Sequence, residues 1–216
     1  MKKFKSLIPV NENKKKKKGF SRRFPRKAII SSTEHFIFLK RWFKNPRQIG
    51  AIAPSSRKLG ALIGQHASVD EHKYVVELGG GTGKLTEALL KAGVPADRLY
   101  VIELDKKLVG YLNKRFPQIN VVHGSACDLH EILPNEVTGN ISCIVSGLPM
   151  RNMKSSIRNA IVQSSLKVMD LNGKFLQYTY TPISPIPAEK FGLKKRRVGR
   201  ILGNLPPAAV WCYERL

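Results

Sequence analysis

The chain has 216 residues, of which 42% are hydrophobic, and this length suits one domain with an appendage better than two full domains. No stretch approaches the roughly 18 continuous apolar residues that a membrane-spanning helix needs, so we expect no transmembrane segment. The apolar start of the chain breaks at Pro9 without a cleavage site, and we predict no secretion signal. The formal net charge of +23 calls for a polyanionic partner, either nucleic acid or an anionic lipid surface.

Cysteine usage indicates the compartment. Cys127, Cys143 and Cys212 lack the spacing of metal ligands, and each lies among apolar neighbours, where a thiol behaves as a small hydrophobic group. We therefore expect no metal site and a reducing, cytoplasmic setting.

The positive charge is concentrated at the start of the chain. Residues 1–47 hold 16 Lys and Arg against Glu12 and Glu34, which places +14 of the +23 there. Residues 1–30 include an unbroken lysine run at 14–18 and too few apolar residues for a core, so we predict a disordered basic tail.

Residues 31–47 are predicted to form an amphipathic helix. Ser31 and Glu34 fit a capping box, and the helix should stop before Pro46. At 100° per residue one face carries Phe36, Phe38, Leu39, Trp42 and Phe43, and the other carries Lys40 and Arg41. This composition is typical of a helix that lies flat in a membrane interface. The alternative is that the aromatic face packs against the domain.

Residues 48–216 alternate between strand-like and helical patterns. Apolar strand-like runs at 74–78, 99–104, 119–122, 141–145 and 174–180 are separated by helical patterns from Lys84, from Lys106 and over 155–169. A closing strand follows the prolines at 206 and 207. Such alternation predicts an α/β fold, with a mostly parallel, doubly wound sheet covered by helices on both faces.

A glycine-rich turn follows the first strand. Glu77, Gly79, Gly81 and Gly83 form an E-x-G-x-G-x-G pattern, in which glycines permit a tight turn and close approach to a ligand. The pattern is neither the dinucleotide G-x-G-x-x-G nor a phosphate-binding loop, which would end in G-K-[ST]. It resembles motif I of class I S-adenosylmethionine-dependent methyltransferases, and a carboxylate suits that cationic cofactor.

The second strand ends in a matching carboxylate. Glu103 lies 26 residues after Glu77, where an acidic side chain can accept hydrogen bonds from both ribose hydroxyls, and Leu104 follows it. A simple turn with a solvated strand end is the alternative. After the third strand, Ser125 and Ala126 stand where methyltransferases carry a G-D-A segment that reads adenine, with Ser125 in place of the usual Asp. Asp128 is predicted to cap the next helix.

The end of the fourth strand bears on the substrate. Residues 146–150 lie where adenine-N6 methyltransferases carry N-L-P-[YF], whose Asn and a backbone carbonyl hold the amine while the aromatic stacks on the flipped base. This chain has Gly147 for the Asn and Met150 for the aromatic, which disfavours a base substrate. Ser146 is left to contact cofactor or amine, or to act only as a turn serine.

The combination resembles the bacterial phospholipid N-methyltransferases, relatives of the rRNA adenine dimethylases. The resemblance runs from about residue 36 to the end and rests on residues 38–42, 50–57, 77–83, 146–149, 177–180, 184–185 and 204–208. It implies a Rossmann-like seven-stranded methyltransferase domain and methyl transfer from S-adenosylmethionine to the amine of phosphatidylethanolamine. It also implies peripheral attachment to the inner face of the cytoplasmic membrane.

Further residues are candidates for the substrate site. Tyr178 and Tyr180 point to one side of the fifth strand, where an aromatic face can stabilise a methylammonium group, although both can equally be packing residues. Residues 50–57 should begin a helix with Ser55 or Ser56 as its cap. The free N–H groups of this helix can meet the cofactor carboxylate or a lipid phosphate, or the serine acts only as a cap. Residues 194–197 and Arg200 form a basic cluster that either holds lipid phosphates or is a solvated loop.

Two other functions compete with lipid methylation. An RNA or DNA adenine methyltransferase is favoured by the charge, because phosphate contacts dominate nucleic-acid affinity. A non-catalytic lipid- or RNA-binding protein with the same fold is disfavoured by the intact carboxylates Glu77 and Glu103.

Overall fold

The computed structural model describes residues 55–67, 72–201 and 207–216. The basic tail predicted for residues 1–30 and the amphipathic helix predicted for 31–47 lie outside the described residues, as does the proposed domain start at residue 48. These three assignments stay predictions. The side chains of residues 55–59 are not described either, so the role predicted for Ser55 is also open.

Five helices and seven strands make up the described residues. The helices are α1 (Ser55–His66), α2 (Lys84–Lys91), α3 (Lys106–Arg115), α4 (Leu129–Ile132) and α5 (Ser155–Val168). The strands are β1 (Tyr74–Leu78), β2 (Leu99–Glu103), β3 (Asn120–His123), β4 (Ile141–Ser146), β5 (Met169–Thr179), β6 (Leu193–Ile201) and β7 (Ala208–Arg215). Short 3-10 turns occur at Ala96–Arg98, Met150–Asn152 and Ala188–Phe191.

The strands form one sheet in the order β3-β2-β1-β4-β5-β7-β6, with β7 antiparallel to both neighbours and the other pairs parallel. This confirms the predicted Rossmann-like α/β fold. The strand order reverses between β1 and β4, and ligands of such sheets bind beyond the carboxyl ends of the strands at this switch point. Both Glu77 and Ser146 lie there.

Apolar layers cover both faces of the sheet. On one face α1, α2 and α3 contribute Ile63, Leu89 and Leu112, all fully buried; we call this the α1–α3 layer. On the other face α4 and α5 contribute Leu129 and Ile161, which form the α4–α5 layer. Burial on both faces explains why the parallel strands are apolar runs rather than alternating ones.

Helix α1 is held against α2 by small residues. A Cβ at Gly60 would lie 2.2 Å from the Cβ of Ala88, and one at Gly64 would lie 2.1 Å from the Cβ of Ala92. The two backbones therefore approach more closely than larger side chains allow. This contact fixes the helix that precedes the glycine-rich turn.

The basic segment of residues 194–200 belongs to strand β6 and not to a loop, and the chain closes with two antiparallel strands rather than one. The sequence hides β6 because it is an exposed edge strand whose side chains are mostly charged. Lysine and arginine are common on such edges, where they discourage pairing with other chains.

Candidate active site

The glycine-rich turn has the backbone that its sequence predicts. Gly79, Gly81 and Gly83 have φ values of 81°, 54° and 75°, in the left-handed region that side chains disfavour. A Cβ at Gly79 would lie 2.6 Å from Cδ2 of Leu148. The turn therefore connects β1 to α2 with its backbone directly against the residues that follow β4. A side chain at Gly79 would collide with Leu148.

Glu103 binds the same turn from the end of β2. Its carboxylate is 2% exposed and accepts hydrogen bonds from the backbone N–H of Gly81 at 2.9 Å, of Leu104 at 2.7 Å and of Asp105 at 2.9 Å. A carboxylate has about four lone-pair sites, so acceptor capacity remains for one hydroxyl of a ribose. The three bonds hold Glu103 in place at the crevice, beside the turn it orders.

Glu77 is the second carboxyl group of the site and is fully buried. One oxygen accepts a hydrogen bond from Oγ1 of Thr86 at 2.7 Å, whereas the other, Oε1, has no partner. Burial raises the pKa of Glu77 to about 8, and the nearby charge of Glu103 adds to the rise. A buried, unpartnered carboxyl oxygen beside a glycine cradle fits a ligand that carries a cationic ammonium group, as S-adenosylmethionine does.

Sequence reasoning missed Thr86. Its signal is weak, since it is a small polar residue among apolar neighbours in the first turns of α2, nine positions after Glu77. The structure shows it fully buried and bonded to the carboxyl group.

The loop after β3 lies beside Glu103, because the N–H of Gly124 donates to the backbone oxygen of Glu103 at 3.0 Å. Oγ of Ser125 accepts a hydrogen bond from the N–H of Cys127 at 3.1 Å, and Ala126 is partly buried against the α4–α5 layer. Asp128 occupies the position before α4, but its side chain makes no capping hydrogen bond, so the predicted capping interaction is wrong.

The end of β4 contrasts with an adenine-methylating site. Oγ of Ser146 is fully buried and accepts a hydrogen bond from the N–H of Leu148 at 3.3 Å, which is a turn interaction. A Cβ at Gly147 would lie 2.9 Å from Cε1 and 3.1 Å from the hydroxyl of Tyr178. Met150 is 1% exposed and belongs to the core. The tyrosine ring therefore fills the space that a side chain at 147 would need, and position 150 offers no stacking surface.

Tyr178 and Tyr180 lie together, as the alternation of β5 predicts. Their ring centroids are 6.1 Å apart in an edge-to-face arrangement, and both rings pack against the α1–α3 layer. Burial raises the pKa of Tyr178 well above its ordinary value, so its phenol is neutral at physiological pH.

Gln177 is a second buried polar residue of this region that sequence reasoning did not assign. It is 1% exposed, and its Nε2 donates to the backbone oxygens of Leu148 at 3.0 Å and Tyr178 at 2.6 Å, while its Oε1 has no partner. The available signal was an amide two positions after the buried Phe175, on a strand face that is otherwise apolar.

The basic cluster on β6 is exposed and partly paired. Lys194 and Arg196 each lie 3.8 Å from a carboxylate oxygen of Glu214, and Lys195 lies 2.7 Å from Glu189. Residues 181–187 form an irregular loop, as their prolines predict.

Among residues 55–67, 72–201 and 207–216 no three His, Cys, Asp or Glu side chains come together as a metal site requires. None of their helices has the length and apolar character needed to cross a membrane.

Comparison with known sequences gives two kinds of relative. The family model of ribosomal RNA adenine dimethylase matches residues 55–165. An ornithine lipid N-methyltransferase from Singulisphaera acidiphila is 30% identical over 152 residues, covering 69% of this chain and 79% of that protein. A probable ribosomal RNA small subunit methyltransferase A from Methanococcoides burtonii is 37% identical over 93 residues, covering 42% of this chain and 33% of that protein. The chain thus matches only about a third of the length of the latter.

Solved structures share the fold. Magnesium protoporphyrin IX methyltransferase from Synechocystis PCC 6803, with bound SAM, superposes with a TM-score of 0.62 at 13% identity, covering 88% of this chain and 100% of that one. The 1,6-didemethyltoxoflavin-N1-methyltransferase from Burkholderia thailandensis gives 0.60 at 13% identity, covering 88% and 93%. At this identity the likeness concerns the fold alone.

Proposed function

The chain belongs to the ribosomal RNA adenine dimethylase family of S-adenosylmethionine-dependent methyltransferases, and from this premise we propose that it methylates the amine of a membrane lipid. Phosphatidylethanolamine, or its partly methylated forms, is the substrate we propose first. An amine-bearing ornithine lipid is of the same chemical class, and the name of the Singulisphaera acidiphila relative supports that class.

One observation carries the choice of a lipid over a base. At the end of β4 the ring of Tyr178 occupies the place of a side chain at Gly147, and Met150 is withdrawn into the core. A flipped adenine would find neither a side-chain clamp nor an aromatic surface at these two positions. A small aliphatic amine needs neither of them.

Methyl transfer from a sulfonium depends more on the alignment of the two reactants than on acid or base catalysis. S-adenosylmethionine supplies an electrophilic methyl group on a sulfonium. The residues of the chain would hold the reactants: Glu103 and the turn at Gly81 would bind the nucleoside end of the cofactor, and Glu77 would bind its cationic end. Alignment and exclusion of water can supply most of the rate enhancement. The ring of Tyr178 can stabilise the growing methylammonium charge by roughly 0.5 to 2 kcal/mol.

Membrane attachment is a further part of the proposal. The aromatic face of residues 36–43 and the basic tail before it supply the two signals that stable attachment to an anionic membrane requires. We place the enzyme in the cytoplasm, at the inner face of the cytoplasmic membrane. Replacing both Phe38 and Trp42 by glutamate should abolish sedimentation with anionic vesicles and leave cofactor affinity unchanged. Unaltered sedimentation would show that the helix packs on the domain.

A ribosomal RNA substrate is the second candidate, because the charge of +23 and the ribosomal relatives favour it. The test is one reaction with methyl-labelled S-adenosylmethionine, anionic vesicles containing phosphatidylethanolamine, and ribosomal RNA. We expect label in the lipid extract. Label in RNA alone would overturn the lipid assignment, and Glu103→Ala serves as the inactive control.

A further inference from the structure

Resting on the proposed function, we infer that Gln177 receives the substrate amine, with its side-chain oxygen accepting an N–H hydrogen bond. The residue lies at the end of β5, next to Ser146 in the parallel register of β4 and β5. The inference rests on the orientation of its amide, on its unpartnered oxygen and on its neighbours.

The orientation of the Gln177 amide is fixed by its partners. Nε2 donates to the backbone oxygens of both Leu148 and Tyr178. With the amide turned over, its oxygen would face two carbonyl oxygens and no donor, which is repulsive. Nε2 is therefore the atom that faces the two carbonyl oxygens, and Oε1 is directed away from them.

The remaining oxygen is a buried acceptor without a donor. Oε1 of Gln177 makes no hydrogen bond, and the residue is 1% exposed. An unmet buried polar atom is a net cost that an apolar residue at this position would avoid, and a catalytic or binding role is one of the reasons for which native proteins keep such atoms. A ligand N–H is the partner that satisfies it.

The neighbours of Gln177 connect it with the cofactor turn. Leu148, whose carbonyl Gln177 holds, has a side chain so near Gly79 that a Cβ there would come within 2.6 Å of it. Tyr178, whose carbonyl is the other partner, covers Gly147. One residue thus ties the turn that follows β4 to the tyrosine beside it, at the carboxyl edge of the sheet where the methyl donor binds.

The reaction defines what this contact does. The amine arrives neutral, one N–H donates to Oε1, and the nitrogen lone pair stays free to form the N–C bond. The C–S bond breaks with its electron pair going to sulfur. The methylated ammonium then releases a proton to water, since an amide oxygen is too weak a base to take it. A neutral dimethylated amine and the quaternary product both lack an N–H, so Gln177 favours the unmethylated and monomethylated amines over these two.

The experiment compares Gln177→Met, which keeps the length of the side chain and removes both the Oε1 acceptor and the Nε2 donor, with wild type on vesicles containing phosphatidylethanolamine. We expect KM for the lipid to rise roughly 10- to 100-fold, the value of one or two hydrogen bonds, with cofactor affinity near that of wild type and a lower Tm, because the two Nε2 bonds are lost as well. Ser165→Ala is the matched control, because Ser165 also has a buried unpartnered oxygen but lies near the opposite edge of the sheet. It should leave KM unchanged.

A second measurement uses wild type itself, so the inference stays testable if Gln177→Met does not fold. Unlabelled phosphatidylethanolamine vesicles, added to a reaction on labelled phosphatidylethanolamine, should inhibit methylation of the labelled lipid. Vesicles in which phosphatidylcholine replaces the added phosphatidylethanolamine should inhibit it far less. Equal competition by both lipids, or an unchanged KM in Gln177→Met, overturns the role of Gln177 while lipid methylation stands. A wild-type enzyme that methylates no amine lipid overturns the proposed function as well.

Discussion

Replacing Glu77 by glutamine should make the cofactor-free protein more stable at alkaline pH. The pKa of this carboxyl group rises from an ordinary 4.5 to about 8 because it is buried, with a smaller contribution from Glu103. Between these two values the folded protein holds a proton that the unfolded chain releases. Stability is therefore highest below about pH 4.5 in this respect and falls as the pH rises towards 8.

The magnitude follows from the same shift. Each tenfold change in proton affinity corresponds to about 1.4 kcal/mol, so the rise from 4.5 to about 8 makes the ionised folded form about 5 kcal/mol less stable. A glutamine is neutral at every pH and avoids this loss. At about 2 to 4 °C per kcal/mol for a protein of this size, the Tm of Glu77→Gln should exceed that of wild type by about 10 to 20 °C well above pH 8 and match it near pH 5.

The assay is thermal unfolding of both proteins from pH 5 to 9 without cofactor. Glu87→Gln is the control, because hydrogen bonding and charge attraction from Lys91 lower the pKa of Glu87. Replacing the Glu87 carboxyl group should not raise Tm at alkaline pH. Parallel Tm curves for wild type and Glu77→Gln would refute the reasoning, since they would show that Glu77 is not protonated in the folded protein.

Other substitutions test the remaining parts of the site and the fold. Glu103→Ala removes the acceptor of three backbone N–H groups and should weaken S-adenosylmethionine binding roughly 100-fold or more in calorimetry; a normal titration would remove Glu103 from the site. Gly79→Ala combines φ of 81° with a contact of 2.6 Å to Leu148, so we expect a loss of about 1–3 kcal/mol in denaturant unfolding, and unchanged stability would contradict the close approach. Gly64→Ala should lower Tm, because the added Cβ would clash with Ala92 at the end of α2. Gly110→Ala should raise the free energy of unfolding by about 0.4–1 kcal/mol, because a Cβ at Gly110 meets nothing within 4 Å. Equal effects of the two substitutions would argue against the packing of α1 on α2.

The sequence was sufficient for the geometry of the glycine-rich turn and its two carboxyl groups because the signals are local. Glycines at 79, 81 and 83 must adopt left-handed φ wherever the turn folds, and acidic residues at the ends of β1 and β2 meet at one edge once the sheet is parallel. The apolar runs of the sequence also placed β1 to β5, of which β1, β2 and β4 are almost fully buried.

The substrate half depends on contacts that spacing does not encode. Two of these contacts depend on how β5 pairs with β4. Tyr178 fills the space beside Gly147, and Gln177 bonds across to Leu148. Strand β6 was missed for a related reason, since its exposed edge position removes the apolar pattern by which strands are identified.

The most direct test of lipid methylation is expression of the chain in a bacterium that makes no methylated amine lipids, with Glu103→Ala as the matched inactive protein. Mass spectrometry of the extracted lipids should show species heavier by one or more methyl groups with the wild-type chain only, and the ribosomal RNA of the same cells should be unchanged. Unaltered lipids together with newly methylated adenines in the RNA would contradict the account.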